Sequence, residues 1–303
     1  MKPDISIELP KTPKSNKSKI FLGAFCMIIT MMIFSMGNAF IKEVGEENHV
    51  MQIVFFRCVW VLVCLVGYML ATKKLNLLRT KKLGYQLLRG FIGFFSMYAM
   101  FYSFDALPLT DSTVLVFASP LFITALSYPL LKEKVGLKRW VAVLIGFLGV
   151  FIMAHPSGKV TLLGVSAGLL SAFLEAIVAN MARMLSKTDN PVTTVFYHTF
   201  VIAVISAVFV PFFWQPIGFE NYVFLLILGT LAAVGQVFLV YAYSLAPSSV
   251  VAPLLYTLII WTSIIGYFRW GETLGKEILF GAPFVIGAGI YIVYQAAHQK
   301  KAA

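Results

Sequence analysis

Ten apolar runs, each close to the about 20 residues that cross a bilayer's hydrocarbon core, govern what this chain can fold into. They fall at about 20–41, 50–71, 85–104, 112–131, 138–154, 162–182, 191–211, 220–243, 249–269 and 277–297. The runs are continuous in hydrophobicity rather than alternating, so they read as helices and not as strands of a barrel. Connections are short and leave no room for a soluble domain. The fold class expected is an all-α membrane protein with ten transmembrane helices. With 59% hydrophobic and 12% charged residues and a mean hydropathy of +0.86, the chain carries more apolar surface than a water-soluble core can use.

The formal net charge of +11 does not point to nucleic acid, because the basic residues sit in short blocks between apolar runs. With the N-terminus in the cytoplasm, nineteen of the 24 Lys and Arg residues fall on the cytoplasmic side. Only Lys42, Lys159, Arg269 and Lys276 fall outside, and Arg57 lies within a span. Both termini are therefore expected inside. Residues 1–19, rich in Lys, Ser and Pro, read as a disordered cytoplasmic tail, and 298–303 as a second tail. The first apolar run ends in no cleavage motif and reads as a retained helix. Cys26, Cys58 and Cys64 lie inside apolar runs without metal or disulfide spacing and read as small core residues.

Sliding the second half over the first gives an internal match. At an offset of 139, FYSFDALPLTDSTVLVF lies over VYAYSLAPSSVVAPLLY, pairing Tyr102 with Tyr241, Pro108 with Pro247 and Leu115 with Leu254. At the same offset Gly90 meets Gly229, Glu133 meets Glu272 and Gly136 meets Gly275. At 141, Lys42 meets Arg183 and FFR at 55–57 meets FYH at 196–198. The expected domains are 20–156 and 157–297, five helices each. An odd number per copy makes the two copies face opposite ways across the membrane, an inverted repeat of the kind found in secondary transporters.

FFR in the second span, LRG opening the third, ALPLTDSTVLVFASPLF leading into YPLLKEKVGLKRWVAVLIGFLGVFI, and LAPSSVVAPLLYTLIIW followed by GE at 271–272 carry a resemblance. Together they resemble the EamA family of the drug/metabolite transporter superfamily over about residues 20–297. The resemblance implies a cavity lined mainly by spans 3, 4, 8 and 9, with 1, 2, 6 and 7 contributing. It also implies cargo such as amino acids, S-adenosylmethionine, riboflavin, nucleotide-like metabolites or drugs, and a bacterial inner membrane. The FFR, LRG and acidic sixth-span features are similar to those of the bacterial S-adenosylmethionine uptake group.

An ionisable side chain inside a span costs about 2.5–3.5 kcal/mol on insertion scales, so one that remains is a functional candidate. Three qualify: Arg57, Glu175 and His198. Glu175, with Ser171 on its helical face and Asn180 five residues on, suits a cationic substrate or a coupling proton; the alternative is a structural ion pair. Arg57 suits a substrate carboxylate or phosphate, or a pairing with Glu175. His198, its repeat equivalent, suits proton coupling or an interhelical hydrogen bond. Polar and aromatic residues expected around a ligand are Tyr98, Tyr102, Ser119, Gln236, Tyr241, Tyr256, Thr257 and Trp261. Tyr68, Tyr85, Trp140, Trp214, Tyr222 and Trp270 read as interfacial belt residues. Pro120 and Pro253 are expected to kink their helices, and Gly90, Gly93, Gly146 and Gly149 to let helices approach closely.

No G-x-x-x-x-G-K-[ST] is present, and GAG at 287–289 lacks the strand context of a dinucleotide loop. No metal-binding or cofactor motif appears. The expected partners are a small-molecule substrate, membrane lipid and a coupling proton or counter-substrate. The reading is a secondary carrier; the competing classes are an intramembrane lipid-modifying enzyme and a non-transporting scaffold.

Overall fold

The computed structural model describes residues 17–44, 49–107, 109–154, 161–271 and 276–298. Pro108, Lys159, Glu272 and the outer parts of both expected tails lie outside these residues. Ten helices among them are long and apolar enough to cross a membrane. The first three spans are α1 (Lys17–Val44), α2 (Val50–Ala71) and α3 (Leu83–Ala106). The fourth is broken into α4 (Leu109–Val116) and α5 (Ser119–Leu131). Next come α6 (Leu137–Ala154), α7 (Leu162–Leu185), α8 (Pro191–Phe209) and α9 (Phe219–Leu245). The ninth span is α10 (Ser248–Val251), a 3-10 segment (Ala252–Tyr256) and α11 (Thr257–Trp270); α12 (Lys276–His298) is the tenth.

Local chemistry sets several of these boundaries. Thr161 caps α7 by accepting from the Gly164 N–H at 3.2 Å, and Asn190 caps α8 by accepting from Val192 at 2.9 Å, with Pro191 in the first turn. Gly271 ends α11 in the left-handed conformation at φ 65°, where a side chain would be strained.

The repeat seen in the sequence is also written in the packing. The most extensive helix pairs are α3 with α7 and α1 with α9, which are each other's repeat equivalents. A Cβ added at Gly23 on α1 would lie 3.1 Å from the Ala246 Cβ, and one at Gly164 on α7 would meet Leu107 at 2.6 Å. These contacts map onto each other at offsets of 141 and 139. Two turns further along α1 and α7, the Thr30 hydroxyl reaches the Gly235 carbonyl at 3.5 Å and the Ser96 hydroxyl reaches the Ser171 carbonyl at 3.0 Å. Gly229 abuts Trp60 as Gly90 abuts Val201. Five spans per copy make these two halves run in opposite directions through the bilayer.

The third pair, α6 with α12, joins the last helices of the two halves. Gly146 meets Tyr256 and Ala288, and a Cβ at Gly149 would sit 2.7 Å from the Gly281 carbonyl oxygen. Both glycine pairs expected to allow close approach therefore do so. Cys26 and Cys58 are buried as core residues.

Candidate functional site

Glu175 sits near the middle of α7, on the side opposite the outward stripe of Leu162, Leu169, Leu170 and Phe173. The inward side is built from Gly168, Ser171, Ala172, Ala176 and Ala179, small residues that let α3 and α5 pack close. The Glu175 side chain nevertheless keeps partly accessible surface.

Arg89 on α3 faces the same region and is only 2% exposed. Its Nε donates to the Val178 carbonyl at 3.1 Å and its Nη1 to the Thr194 carbonyl at 3.4 Å. It lies within electrostatic range of Glu175 and of Tyr243 on α9. The backbone carbonyls and the nearby carboxylate together compensate a cation that burial would otherwise penalise.

His198 on α8 lies against Gly93 of α3, where an added Cβ would overlap the imidazole. Its Nδ1 has no hydrogen-bond partner among the described residues, and both Arg89 and Arg57 are within electrostatic range of the ring. Arg57 projects from α2 between Val54 and Cys58, which pack toward α8, and Ile53 and Trp60, which pack toward α9. It too is partly accessible. Gln236, partly accessible, shares the inward face of α9 with the buried Tyr243 seven residues on. Arg89 is thus the hub of the three ionisable residues expected from the sequence, within electrostatic range of Glu175 and of His198, while Arg57 is within range of His198 and Tyr243 of Glu175 and Arg89.

Other expected residues are placed differently. Tyr98 and Tyr102 are 52% and 43% exposed, on the α3 stripe that carries Phe91 and Phe95, turned away from Arg89 and Gly93. Tyr241, at 40%, lies on the outward stripe of α9 with Ile227 and Val234. Helical rotation of 100° per residue puts Tyr243 on the opposite side. Asn180 is buried and donates to the Ile123 and Ala176 carbonyls at 3.1 and 3.0 Å, which makes it a strut between α7 and α5. Tyr256, 1% exposed, is wedged among Phe117, Phe147 and Gly146 instead of facing the Glu175 region. Ser119 is buried at the start of α5; the Thr257 hydroxyl bonds to the Leu254 carbonyl at 2.7 Å; Trp261 packs on the main core.

The two prolines expected to kink their helices stand at interruptions of the fourth and ninth spans. Pro120 is the second residue of α5, directly after the break at Phe117 and Ala118, and Pro253 lies in the 3-10 segment of the ninth span. The breaks are repeat equivalents, and the Phe117 and Tyr256 rings that mark them meet at 6.4 Å.

Beneath the Glu175 region, one end of the bundle is tied across the two halves. Arg183 of α7 pairs with Glu133 at 3.1 Å and donates to the Tyr243 and Ser244 carbonyls at 2.9 and 2.8 Å. Glu133 also accepts the Ser248 N–H at 3.1 Å, and Arg139 donates to Ser249 at 2.8 Å. Asp189 accepts from Thr80 and from Gln86 (2.8 Å), and Tyr197 donates to the Leu78 carbonyl at 2.7 Å. At the other end the described cross-half bonds are the reciprocal pair of Gln52 with the Gln215 backbone, at 2.8 and 3.0 Å.

A ten-span helical bundle, duplicated head over tail and holding ionisable groups within its spans, is the architecture of a membrane transporter. The chain belongs to the EamA-like transporter family, whose model matches residues 21–154 and 162–295. It is 28% identical over 282 residues to the S-adenosylmethionine uptake transporter of Rickettsia prowazekii, covering 91% of this chain and 94% of that protein. It is also 28% identical to the pseudopaline exporter of Pseudomonas aeruginosa over 273 residues, 88% and 94% of the two chains. An uncharacterized transporter of Helicobacter pylori matches at 24% over 292 residues. A solved crystal structure shares the fold, with a TM-score of 0.77 at 14% identity, covering 94% of this chain and all of the other.

Proposed function

We propose that the protein is a secondary carrier for a small zwitterionic metabolite that bears an additional cation, with S-adenosylmethionine the leading substrate. The observation that carries this reading is the chain of one carboxylate and three basic groups inside the spans: Glu175 within electrostatic range of Arg89, and Arg89 and Arg57 within range of His198, with Glu175 and Arg57 partly accessible. S-adenosylmethionine presents an α-carboxylate for a guanidinium and an ammonium and a sulfonium for a carboxylate. Charge-assisted contacts of these kinds are worth about 1.5–3 kcal/mol each when water is excluded. The uptake role named for the Rickettsia prowazekii relative supports the same choice.

Movement is by alternating access between the two inverted halves, driven by a proton or substrate gradient. The bonds around Arg183, Glu133 and Asp189 close one end in the described arrangement. The distribution of Lys and Arg supports assigning that end to the cytoplasm, with both termini on the same side of a bacterial inner membrane. A second reading rests on the surplus of cations over Glu175, which also suits export of an amino-acid-derived polycarboxylate.

Uptake of labelled S-adenosylmethionine into proteoliposomes tests the proposal. Accumulation of intact, unmodified compound that Glu175→Gln abolishes is the expected result. No accumulation from either side of the membrane, or full uptake by the variant at every pH, would sink it.

A further inference from the structure

On the outside of the α6 and α12 pair, a groove of about 600 Å³ runs between two helical stripes. Lys138, Val141 and Ile145 line one wall, and Phe284, Gly287 and Tyr291 the other. The helices are antiparallel, so Lys138 and Tyr291 stand together at one end while Ile145 and Phe284 form the apolar far end. Gly287 makes the dent: a Cβ there would meet nothing within 4 Å. On its inner side the groove is shut by the backbone contact of Gly149 with Gly281 and by Tyr256 against Gly146. It therefore opens toward the bilayer and not toward the Glu175 region.

We infer that this groove is a binding site for one anionic glycerophospholipid. An acyl chain lies along Val141, Ile145, Phe284 and Gly287, and the headgroup phosphate meets the Lys138 ammonium and the Tyr291 hydroxyl. The volume is in the range of pockets that hold drug-sized ligands, about 300–1,000 Å³. Charge complementarity selects the headgroup: Lys138 is exposed at the mouth of an otherwise apolar cleft. Basic residues bordering clefts between spans favour anionic lipid over zwitterionic lipid, at about fivefold for one Lys near the surface. The orientation proposed above puts the site in the cytoplasmic leaflet; binding itself does not depend on that orientation.

Native mass spectrometry of the full chain in detergent, supplied with phosphatidylglycerol or phosphatidylcholine, tests the site. The expected result is retention of one phosphatidylglycerol in preference to phosphatidylcholine. Lys138→Gln should lower that preference about fivefold, and Gly287→Phe, which fills the dent, should remove retention of either lipid while the melting temperature holds. Equal retention of both lipids by the wild type, or unchanged retention by Gly287→Phe, would overturn the assignment. A dimer that Gly287→Phe converts to monomer would also overturn it, since the groove would then be seating a second copy.

Discussion

The two halves of this molecule differ most where they face the interior. Scaffold contacts match across the repeat: Gly23 with Ala246 and Gly164 with Leu107, Trp60 with Gly229 and Val201 with Gly90. The chemistry does not. Glu175 of the second half corresponds to Phe34 of the first, which packs against Gly235; His198 corresponds to Arg57; and Arg89 of the first corresponds to Leu228 of the second, buried at 3%. Packing needs a pair of equivalent rigid bundles, whereas an asymmetric substrate needs different groups on each side of it. The difference teaches that the repeat is kept where helices pack and is broken at the ionisable positions, which under the proposed function are the positions that meet the substrate.

Making the halves alike at the broken positions should have the largest effect. Glu175→Phe, which copies the first half, should lower initial uptake rates by about 100-fold, as loss of a charge-assisted contact of about 3 kcal/mol predicts. Membrane insertion should persist, as read by monodisperse elution in detergent. Normal rates in that variant would mean that the cargo does not engage the second half at this depth.

A smaller effect is expected at the tied end. Arg183→Ala leaves Glu133 and the Tyr243 and Ser244 carbonyls without their guanidinium. Because the pair is part-exposed, a cost of about 1–2 kcal/mol is appropriate. Labelling by a membrane-impermeant thiol reagent of a cysteine introduced near this end should speed up about tenfold. Unchanged labelling would show that the tie does not hold this end closed.

Arg57→His, which copies the second half in the first, should raise KM for a carboxylate-bearing substrate about tenfold with little change in kcat. The smallest response belongs to the outward tyrosines. Tyr102→Phe and Tyr241→Phe should each stay within about 0.5 kcal/mol in stability and leave KM unaltered; a large KM shift in either would return the cavity to that face.

How much of this was legible before the fold was known depended on the length of the signal. Whole spans announce themselves through twenty residues of lipid-compatible sequence, and the repeat through spaced punctuation. Arg57, Glu175 and His198 stood out because charge is costly at their depth. Arg89 was hidden among the loop cations: it stands only two turns into α3, and its burial is decided by the Val178 and Thr194 carbonyls supplied from α7 and α8. Tyr241 and Tyr243 show the other limit. They are two residues apart and chemically identical, and only the positions of α1 and α2 around α9 determine which one is enclosed. In a chain this apolar, hydrophobic periodicity does not separate a lipid-facing stripe from a protein-facing one.

The contact between Phe117 and Tyr256 has a mechanical meaning. Each ring marks the point where a spanning rod is interrupted, and the two interruptions touch at the centre of the symmetry. Each interruption is thus packed against its twin, so a substitution that reshapes either ring alters the packing at both.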